Sequence, residues 1–219
     1  MTGHAARWEE IHHAYGAEDV VHGVSLGVGP GESVALTGPN GAGKTTLTRM
    51  LVGLVRPRAG RVTVGDWDVA ARRPDELARR VGYAFQHADL QLFARTIAAD
   101  VAFGPRQLGI GADHVPGVLE ELGLSAVAGR HPYDVPPPVR KLVALAGVLA
   151  MQPGLLVLDE PTGGFDRALR ETVVAALRRR LATGVTVIAI SHDPELVRAV
   201  ARREVVMEQG RIVADRDVE

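Results

Sequence analysis

The sequence predicts an α/β fold with a parallel β-sheet at its centre, a small antiparallel β layer beside it, and a helical subdomain inserted in the chain. Three observations predict this arrangement. Two nearly continuous apolar runs, 155–158 and 185–190, are typical of strands covered on both faces of a parallel sheet. A predicted strand at 32–37 meets a glycine-rich loop that leads into a helix at 44–54. From 87 to 151, helical patterns replace the strand patterns.

The other elements follow from hydrophobic periodicity along the chain. Apolar residues alternate from Val20 to Val28, and a second β-rich run covers 61–64, so both segments are expected in the antiparallel layer. Apolar residues at helical spacing predict four further helices, at 96–103, 115–122, 139–151 and 168–181. The last of these helices connects the two buried strands of the parallel sheet.

The composition describes one globular domain, or two closely fused subdomains. The chain has 219 residues, 46% of them apolar, with 25 basic and 26 acidic side chains. This balance argues against a general basic field that would hold nucleic acid, so no nucleic-acid partner is expected. Without cysteine, the chain has neither a disulfide framework nor a thiolate metal site. Within residues 1–219 we expect a core formed by 1–86 and 152–219, and a helical subdomain formed by 87–151.

No segment of the sequence is expected to span a membrane. The longest uninterrupted apolar stretch runs from Leu142 to Met151, which is far shorter than the roughly 20 residues that cross a bilayer. The N-terminus, Met1-Thr2-Gly3-His4, lacks a basic segment followed by an apolar one, so no export signal is visible. We therefore expect a cytoplasmic chain.

The glycine-rich segment after the strand at 32–37 has the pattern of a phosphate-binding loop, with Gly38, Pro39, Asn40, Gly41, Ala42, Gly43, Lys44, Thr45 and Thr46. Glycines let successive backbone N–H groups turn toward phosphate oxygens, and the following helix adds a favourable dipole. Lys44 supplies a positive charge to the outer phosphates, and the Thr45 hydroxyl is placed to ligate Mg²⁺. Because the loop lies between a strand and a helix, a P-loop NTPase with a RecA-like sheet is favoured over a glycine turn without ligand.

Two adjacent carboxylates, Asp159 and Glu160, follow the apolar strand at 155–158. They lie at the edge where open parallel sheets bind ligands, and two acids there need a cation, so an acidic helix cap is the weaker interpretation. We expect Asp159 to hold Mg²⁺ and Glu160 to orient or deprotonate the water that attacks a γ-phosphate. His192 follows the second buried strand and can donate to the same phosphate, although a histidine at a strand end is more often structural.

With these motifs on the chain, the sequence resembles the ATP-binding cassette (ABC) ATPases over essentially its whole length. Three further positions match family motifs: the adenine-stacking aromatic Tyr15, the Mg²⁺-sensing glutamine Gln86, and Asp166 of the loop that interacts with the other subunit of the dimer. His192 matches the family's switch histidine. Within the family, the segments 86–93 and 100–105 look like the ATPase subunits of energy-coupling-factor and cobalt-type importers.

The resemblance implies a function and its cofactors. ATP would bind at Tyr15 and residues 38–46, and Mg²⁺ at Thr45, Gln86 and Asp159. Glu160, His192 and Gln86 would act in hydrolysis of ATP to ADP and phosphate. The partners implied are a transmembrane transporter subunit and a second cassette, since two cassettes of this family sandwich two ATP molecules head to tail. The chain would then lie on the inner face of the cell membrane as a peripheral subunit.

One motif departs from the family pattern. Where the family has Leu-Ser-Gly-Gly-Gln before the helix at 139–151, this chain has Val135-Pro136-Pro137-Pro138-Val139. In the family that signature grips the γ-phosphate bound by the partner subunit. Prolines fit the first turn of a helix but have no N–H to donate, so we expect the fold to survive and most of the donors to be lost. A homodimer would have two damaged sites, which favours a heterodimer with an intact cassette.

Three alternatives remain beside this hypothesis. A regulatory paralogue that binds ATP with little turnover fits the prolines, whereas Glu160 and His192 favour hydrolysis. A cassette of chromosome maintenance or translation is disfavoured because the chain has no long coiled-coil insertion and no second cassette. A small-molecule kinase on a phosphate loop gives no account of Gln86, Asp166 or His192.

Overall fold

A computed structural model describes residues 3–218, so Met1, Thr2 and Glu219, including the start of the N-terminal segment discussed above, lie outside it. The strands among these residues form two sheets. In chain order they are β1 (Ala6–Tyr15), β2 (Glu18–Val28), β3 (Ser33–Thr37), β4 (Ala59–Val64), β5 (Trp67–Asp68), β6 (Val81–Ala84), β7 (Leu155–Asp159), β8 (Thr186–Ile190), β9 (Arg203–Glu208) and β10 (Arg211–Asp217).

The larger sheet has the strand order β10-β9-β3-β8-β7-β6. All neighbouring pairs are parallel except β10 with β9. The three strands predicted here, β3, β7 and β8, lie at its centre, and the residues of β7 and β8 are buried throughout. The carboxyl ends of these parallel strands therefore meet at one edge, and the predicted α/β fold is confirmed.

The smaller sheet is antiparallel and has the order β2-β1-β4-β5. The predicted strands at 20–28 and 61–64 belong to β2 and β4, but β1 was not predicted. The reason is a broken alternation: the register of β1 against β2 shifts between Trp8 and Ile11, and Glu10 has a left-handed φ of 50°. Such a bulge adds a residue to one strand and disrupts the period of two.

Helices fill the connections between strands: α1 (Lys44–Arg49), α2 (Pro74–Leu77), α3 (Ile97–Leu108), α4 (Val115–Glu121), α5 (Pro137–Ala150), α6 (Arg167–Ala182) and α7 (Pro194–Val200). The predicted helix at 44–54 ends earlier, because the chain continues as a 3-10 turn over Met50–Val52 and stops at Gly53 with φ 70°. Helix α5 begins at Pro137, where a fixed φ suits the first turn. None of the helices described over 3–218 is long and apolar enough to cross a bilayer.

The large sheet separates two hydrophobic cores. Leu156 and Leu158 of β7 point into a core shared with α3, α4, α5 and α6, whereas Leu155 and Val157 point into a core shared with α1 and the small sheet. This alternation follows from the period of two along a strand. The strand that ends in Asp159 is therefore fixed from both faces.

A largely buried ion pair ties α4 to α6. Arg180 donates to both carboxylate oxygens of Glu121, with N–O distances of 2.9 and 2.8 Å, and these side chains are 17% and 11% exposed. Arg179 also approaches this carboxylate, at 3.4 Å, but it is 65% exposed. The bidentate geometry and the burial give the Arg180 pair most of the energetic weight.

We expect Glu121→Ala to lower the free energy of unfolding by about 2–3 kcal/mol, because it leaves a mostly buried guanidinium without its partner. The matched control is Arg179→Ala, which should cost less than about 1 kcal/mol because it removes an exposed charge. Urea denaturation measures both changes. Equal losses in the two variants would contradict this division.

Candidate functional site

A cavity of about 380 Å³ opens where β3, β7 and β8 end. Most of the predicted site residues line it: Asn40, Gly41, Ala42, Gly43, Lys44, Thr45, Thr46, Gln86, Asp159, Glu160 and His192. Three predicted residues lie beside it. Gly38 and Pro39 contact Lys44 through their carbonyls, and the Tyr15 hydroxyl lies 3.5 Å from Thr46 Oγ1. The fold thus gathers residues from distant parts of the chain around one space.

Two glycines make the phosphate-binding loop possible. Gly38 has φ 116°, and a Cβ there would lie 1.9 Å from the Met207 carbonyl oxygen. Gly43 has φ 96°, and its Cβ would lie 2.8 Å from the Val20 carbonyl oxygen. Any larger residue would collide with backbone at either place. The close packing of the loop against these neighbours therefore fixes its shape.

Lys44 is buried inside the loop, with 6% of its surface exposed. Its Nζ donates to the carbonyl oxygens of Gly38 and Pro39 at 2.6 and 2.7 Å. Burial lowers the pKa of Lys44, and the nearby Glu160 and Asp159 oppose that shift. A desolvated ammonium of this kind is stabilised by an anionic partner, which suits it to a phosphate.

Asp159 and Thr45 form the corner expected to hold a metal ion. The Thr45 hydroxyl donates to Asp159 Oδ2 at 3.1 Å, and Asp159 is only 2% exposed. Burial raises the pKa of Asp159, whereas the Thr45 hydrogen bond and the charge of Arg49 lower it. Hydroxyl, carboxylate and amide oxygens are hard ligands of the kind that Mg²⁺ prefers, so Thr45, Asp159 and the neighbouring Gln86 fit this ion.

Glu160 lies beside Asp159 with one oxygen free. Glu160 Oε1 is buried and has no hydrogen-bond partner among residues 3–218, while His192 Nε2 lies 3.6 Å away. Burial raises the pKa of Glu160, and the charge of His192 lowers it. Glu160 also has a left-handed φ of 51°, a strained conformation typical of functional sites. Glu160 lines the cavity, and a carboxylate with an oxygen that lacks a hydrogen bond is suited to accept a proton from water.

The two predicted residues at the mouth of the cavity are exposed. Tyr15 is 51% exposed, and its ring packs edge-on against His13 with centroids 4.8 Å apart. The exposure of the side chain leaves Tyr15 available for stacking on a base. Gln86 is exposed as well, and it follows the short strand β6 after one intervening residue, Phe85.

Asp166 serves a local purpose in this chain, because its side chain accepts from Leu169 N at 2.9 Å and caps helix α6.

The structure adds two residues that the sequence did not indicate. Tyr83 lies beneath the metal corner, with its hydroxyl 3.0 Å from Thr48 Oγ1. Burial and then the charge of Asp159 raise the pKa of Tyr83. Lys141 of α5 donates to the Gly163 carbonyl at 2.7 Å.

The start of helix α5 offers few donors. Pro136 is the N-cap, and neither Pro137 nor Pro138 has an N–H. The N–H of Arg140 already donates to the Pro136 carbonyl at 3.1 Å. Within the part of the chain that the structure describes, Val139 alone keeps a free N–H in this first turn. The helix begins normally, but its N-terminus is poor in hydrogen-bond donors.

Comparison with protein families matches residues 21–163 to the family described as "ABC transporter". The energy-coupling factor transporter ATP-binding protein EcfA of Methanothermobacter thermautotrophicus is 40% identical over 202 residues, which cover 89% of this chain and 65% of that protein. The cobalt import ATP-binding protein CbiO of Rhodobacter capsulatus is 41% identical over 198 residues, covering 88% of this chain and 71% of that protein. This chain spans less than two thirds of the length of several curated relatives, from 26% to 65%.

The solved structure of cbiO1 from Clostridium perfringens, part of the ABC transporter complex cbiONQ, has a similar fold. It superimposes with a TM-score of 0.81 at 28% identity, over 97% of this chain and 88% of that chain. The fold similarity therefore extends beyond the residues matched by the family pattern.

We expect ATP with Mg²⁺ to raise the Tm of the purified chain, because a ligand of the folded state stabilises it by mass action. Lys44→Ala should abolish most of this rise, since it removes the buried charge in the loop. The matched control is Lys141→Ala, which removes the chain's other lysine but leaves the loop intact. Thermal shift across an ATP titration measures the effect. An unchanged response of Lys44→Ala would remove this loop from the site.

Proposed function

Because the chain belongs to the ABC transporter family, we propose that it is the ATP-binding and ATP-hydrolysing subunit of an importer of the energy-coupling-factor or cobalt type. The observation that carries the proposal is the placement of Lys44, Thr45, Asp159 and Glu160 around one cavity. The names of the relatives support the importer class.

In the proposed reaction each residue has a separate task. Lys44 holds the outer phosphates, and Tyr15 stacks on the adenine. Thr45, Asp159 and Gln86 would hold Mg²⁺, which would supply positive charge to neutralise the phosphates. Glu160 orients or deprotonates the attacking water through its free oxygen, and His192 donates to the γ-phosphate. The separation of binding residues from Glu160 makes the two tasks testable independently.

An exposed aromatic patch supports a membrane partner. Phe93 and Phe103 are 63% and 44% exposed, and their rings meet edge-on with centroids 4.7 Å apart. Leu90, 79% exposed, belongs to the same loop as Gln86. Large apolar side chains that remain exposed together are typical of interaction surfaces. We assign this patch, Leu90 with Phe93 and Phe103, to the transmembrane subunit, so the chain would be peripheral on the inner face of the membrane.

The prolines favour a second, different cassette as partner. In a head-to-tail pair, each ATP bound by one subunit needs donors from the other subunit's signature. With one free N–H at Val139, this chain can offer little to a phosphate across the interface. An intact partner would supply the missing donors to this chain's loop, which gives one complete site in a heterodimer and none in a homodimer.

The alternative function is a regulatory paralogue that binds ATP with little turnover. The same prolines favour it, because they impair closure without touching the loop from Gly38 to Thr45. The proposals differ in whether the complete transporter hydrolyses ATP at this chain's own site.

Glu160→Gln tests that difference. The amide keeps the shape but cannot accept a proton, so turnover by the chain assembled with its partner subunits should fall by about 10² to 10⁴. Nucleotide binding should persist. The matched control is Glu171→Gln, which changes an exposed carboxylate on α6. Phosphate release and a binding titration measure the two effects, and unaffected turnover would assign hydrolysis to the partner's loop.

Restoring the signature tests the heterodimer proposal. The restored chain carries Val135→Leu, Pro136→Ser, Pro137→Gly, Pro138→Gly and Val139→Gln. Each regained charge-assisted hydrogen bond is worth roughly 1.5 to 3 kcal/mol, so ATP-dependent dimerisation and turnover of the chain alone should both rise. Light scattering and phosphate release with excess ATP measure them.

The matched control for this restoration is Pro116→Ser, which replaces an exposed proline in the first turn of α4 and should change neither readout. Fast hydrolysis by the original homodimer would contradict the proposal. A restored chain that behaves like the original would contradict it equally.

A further inference from the structure

The outer edge of the large sheet is completed by a side chain. Strand β6 is the edge strand, and no strand among residues 3–218 pairs with its outer side. Gln91 takes that place: its Nε2 donates to the Tyr83 carbonyl at 3.0 Å, and its Oε1 accepts from Phe85 N at 2.9 Å. One residue of a parallel neighbouring strand bonds to positions i and i+2 in this same way. The amide of Gln91 therefore replaces one rung of a parallel ladder.

These two hydrogen bonds of the Gln91 amide fix the chain immediately before Gln86. Phe85 packs on Tyr83 with ring centroids 4.5 Å apart, and Tyr83 in turn contacts Thr48 of α1. Because Gln91 holds both Tyr83 and Phe85, the segment from 86 to 90 becomes a closed loop whose two ends meet at one amide. Gln86 is the first residue of that loop, and it lines the nucleotide cavity.

The far side of the same loop is bound to the start of α5. Arg140 approaches Asp89 at 3.3 Å, and the Tyr133 hydroxyl donates to the Asp89 carbonyl at 3.0 Å. Arg140 also donates to the Val135 carbonyl at 3.0 Å. The loop from 86 to 90 is thus held at its base by Gln91 and at Asp89 by Arg140 of α5 and by Tyr133, which precedes this helix.

We propose that Gln91 is a positioning residue whose side-chain amide sets where Gln86 lies in the nucleotide cavity. This inference rests on the proposed function, which gives Gln86 its task toward Mg²⁺. The position requires a neutral side chain that donates and accepts at once. Glutamate cannot donate to the Tyr83 carbonyl, asparagine is one methylene shorter, and alanine leaves both backbone groups without this partner.

The experiment compares Gln91→Ala and Gln91→Glu with the exposed helical control Gln107→Ala in the full chain. Amide hydrogen exchange at Phe85 reports its hydrogen bond to Gln91 directly. ATP affinity is measured once with Mg²⁺ and once with a chelator. We expect exchange of the Phe85 amide to rise about tenfold in Gln91→Ala, as for the loss of one hydrogen bond. The gain in ATP affinity from Mg²⁺ should fall about tenfold, while affinity without Mg²⁺ stays unchanged.

A double mutant separates positioning from general damage. In a Gln86→Ala background, Gln91→Ala should cause no further loss of the Mg²⁺ effect, because the effect passes through Gln86. Additive losses would overturn the proposal. Faster amide exchange in β7 would show that Gln91→Ala destabilises the whole sheet. In that case Gln91→Glu, whose side chain fills the same volume, becomes the deciding variant. Gln91→Glu should also lose most of the Mg²⁺ effect, and wild-type behaviour of this variant would overturn the proposal.

The failure of this inference differs from the failure of the proposed function. A wild-type chain whose ATP affinity gains nothing from Mg²⁺ overturns the proposed function and, with it, this task of Gln91. A wild-type chain that shows the gain, together with a Gln91→Ala variant that keeps it, overturns only the inference.

Discussion

The whole site depends on charged groups that the fold keeps away from water. Lys44, Asp159 and Glu160 meet at the carboxyl edge of a parallel sheet, and burial is the largest influence on the pKa of each. Burial disfavours the charged form of each group, so each is stabilised by opposite charge nearby. A phosphate chain and a divalent cation would provide these charges together. The glycines that bring the loop close to Met207 and Val20 are the structural requirement for this arrangement.

The sheet also determines which other parts of the chain contact the site. Because β7 alternates between two cores, Asp159 is held by packing from both the loop side and the helical side. On the helical side, Arg140 and Lys141 of α5 reach the loop at Asp89 and the segment at Gly163 respectively. A shift of α5 would therefore move the surroundings of both Gln86 and Glu160. Apolar packing also joins α5 to this side of the site, because Ala88 and Leu158 share the helical core with the residues of α5.

The sequence predicts those parts of the fold that a local pattern encodes. The phosphate-binding loop, the acids after β7 and the long helices have such patterns, and the cavity gathers most of these residues. Strand β1 is hidden by its bulge, and β6 is only four residues long, so neither gives a clear period. The contacts of Lys141 and Gln91 could not be predicted for a different reason: they depend on which backbone groups the folded chain leaves open. The Tyr83 contact depends on the tertiary packing that brings its hydroxyl to Thr48 Oγ1 of α1.

The proline segment shows that a helix start can keep its structure while it offers few hydrogen-bond donors. Val135 is buried, and the Arg140 side chain donates to the carbonyls of Val135 and Tyr133, so side-chain contacts hold the entry to α5. Pro136, Pro137 and Pro138 need no donor for this purpose, because the first turn of a helix leaves its N–H groups unpaired in any case. The N–H groups removed by the prolines are therefore those that only an external acceptor would use. The loss of these N–H groups would therefore leave folding unchanged. It would weaken the binding of a phosphate held by a second subunit.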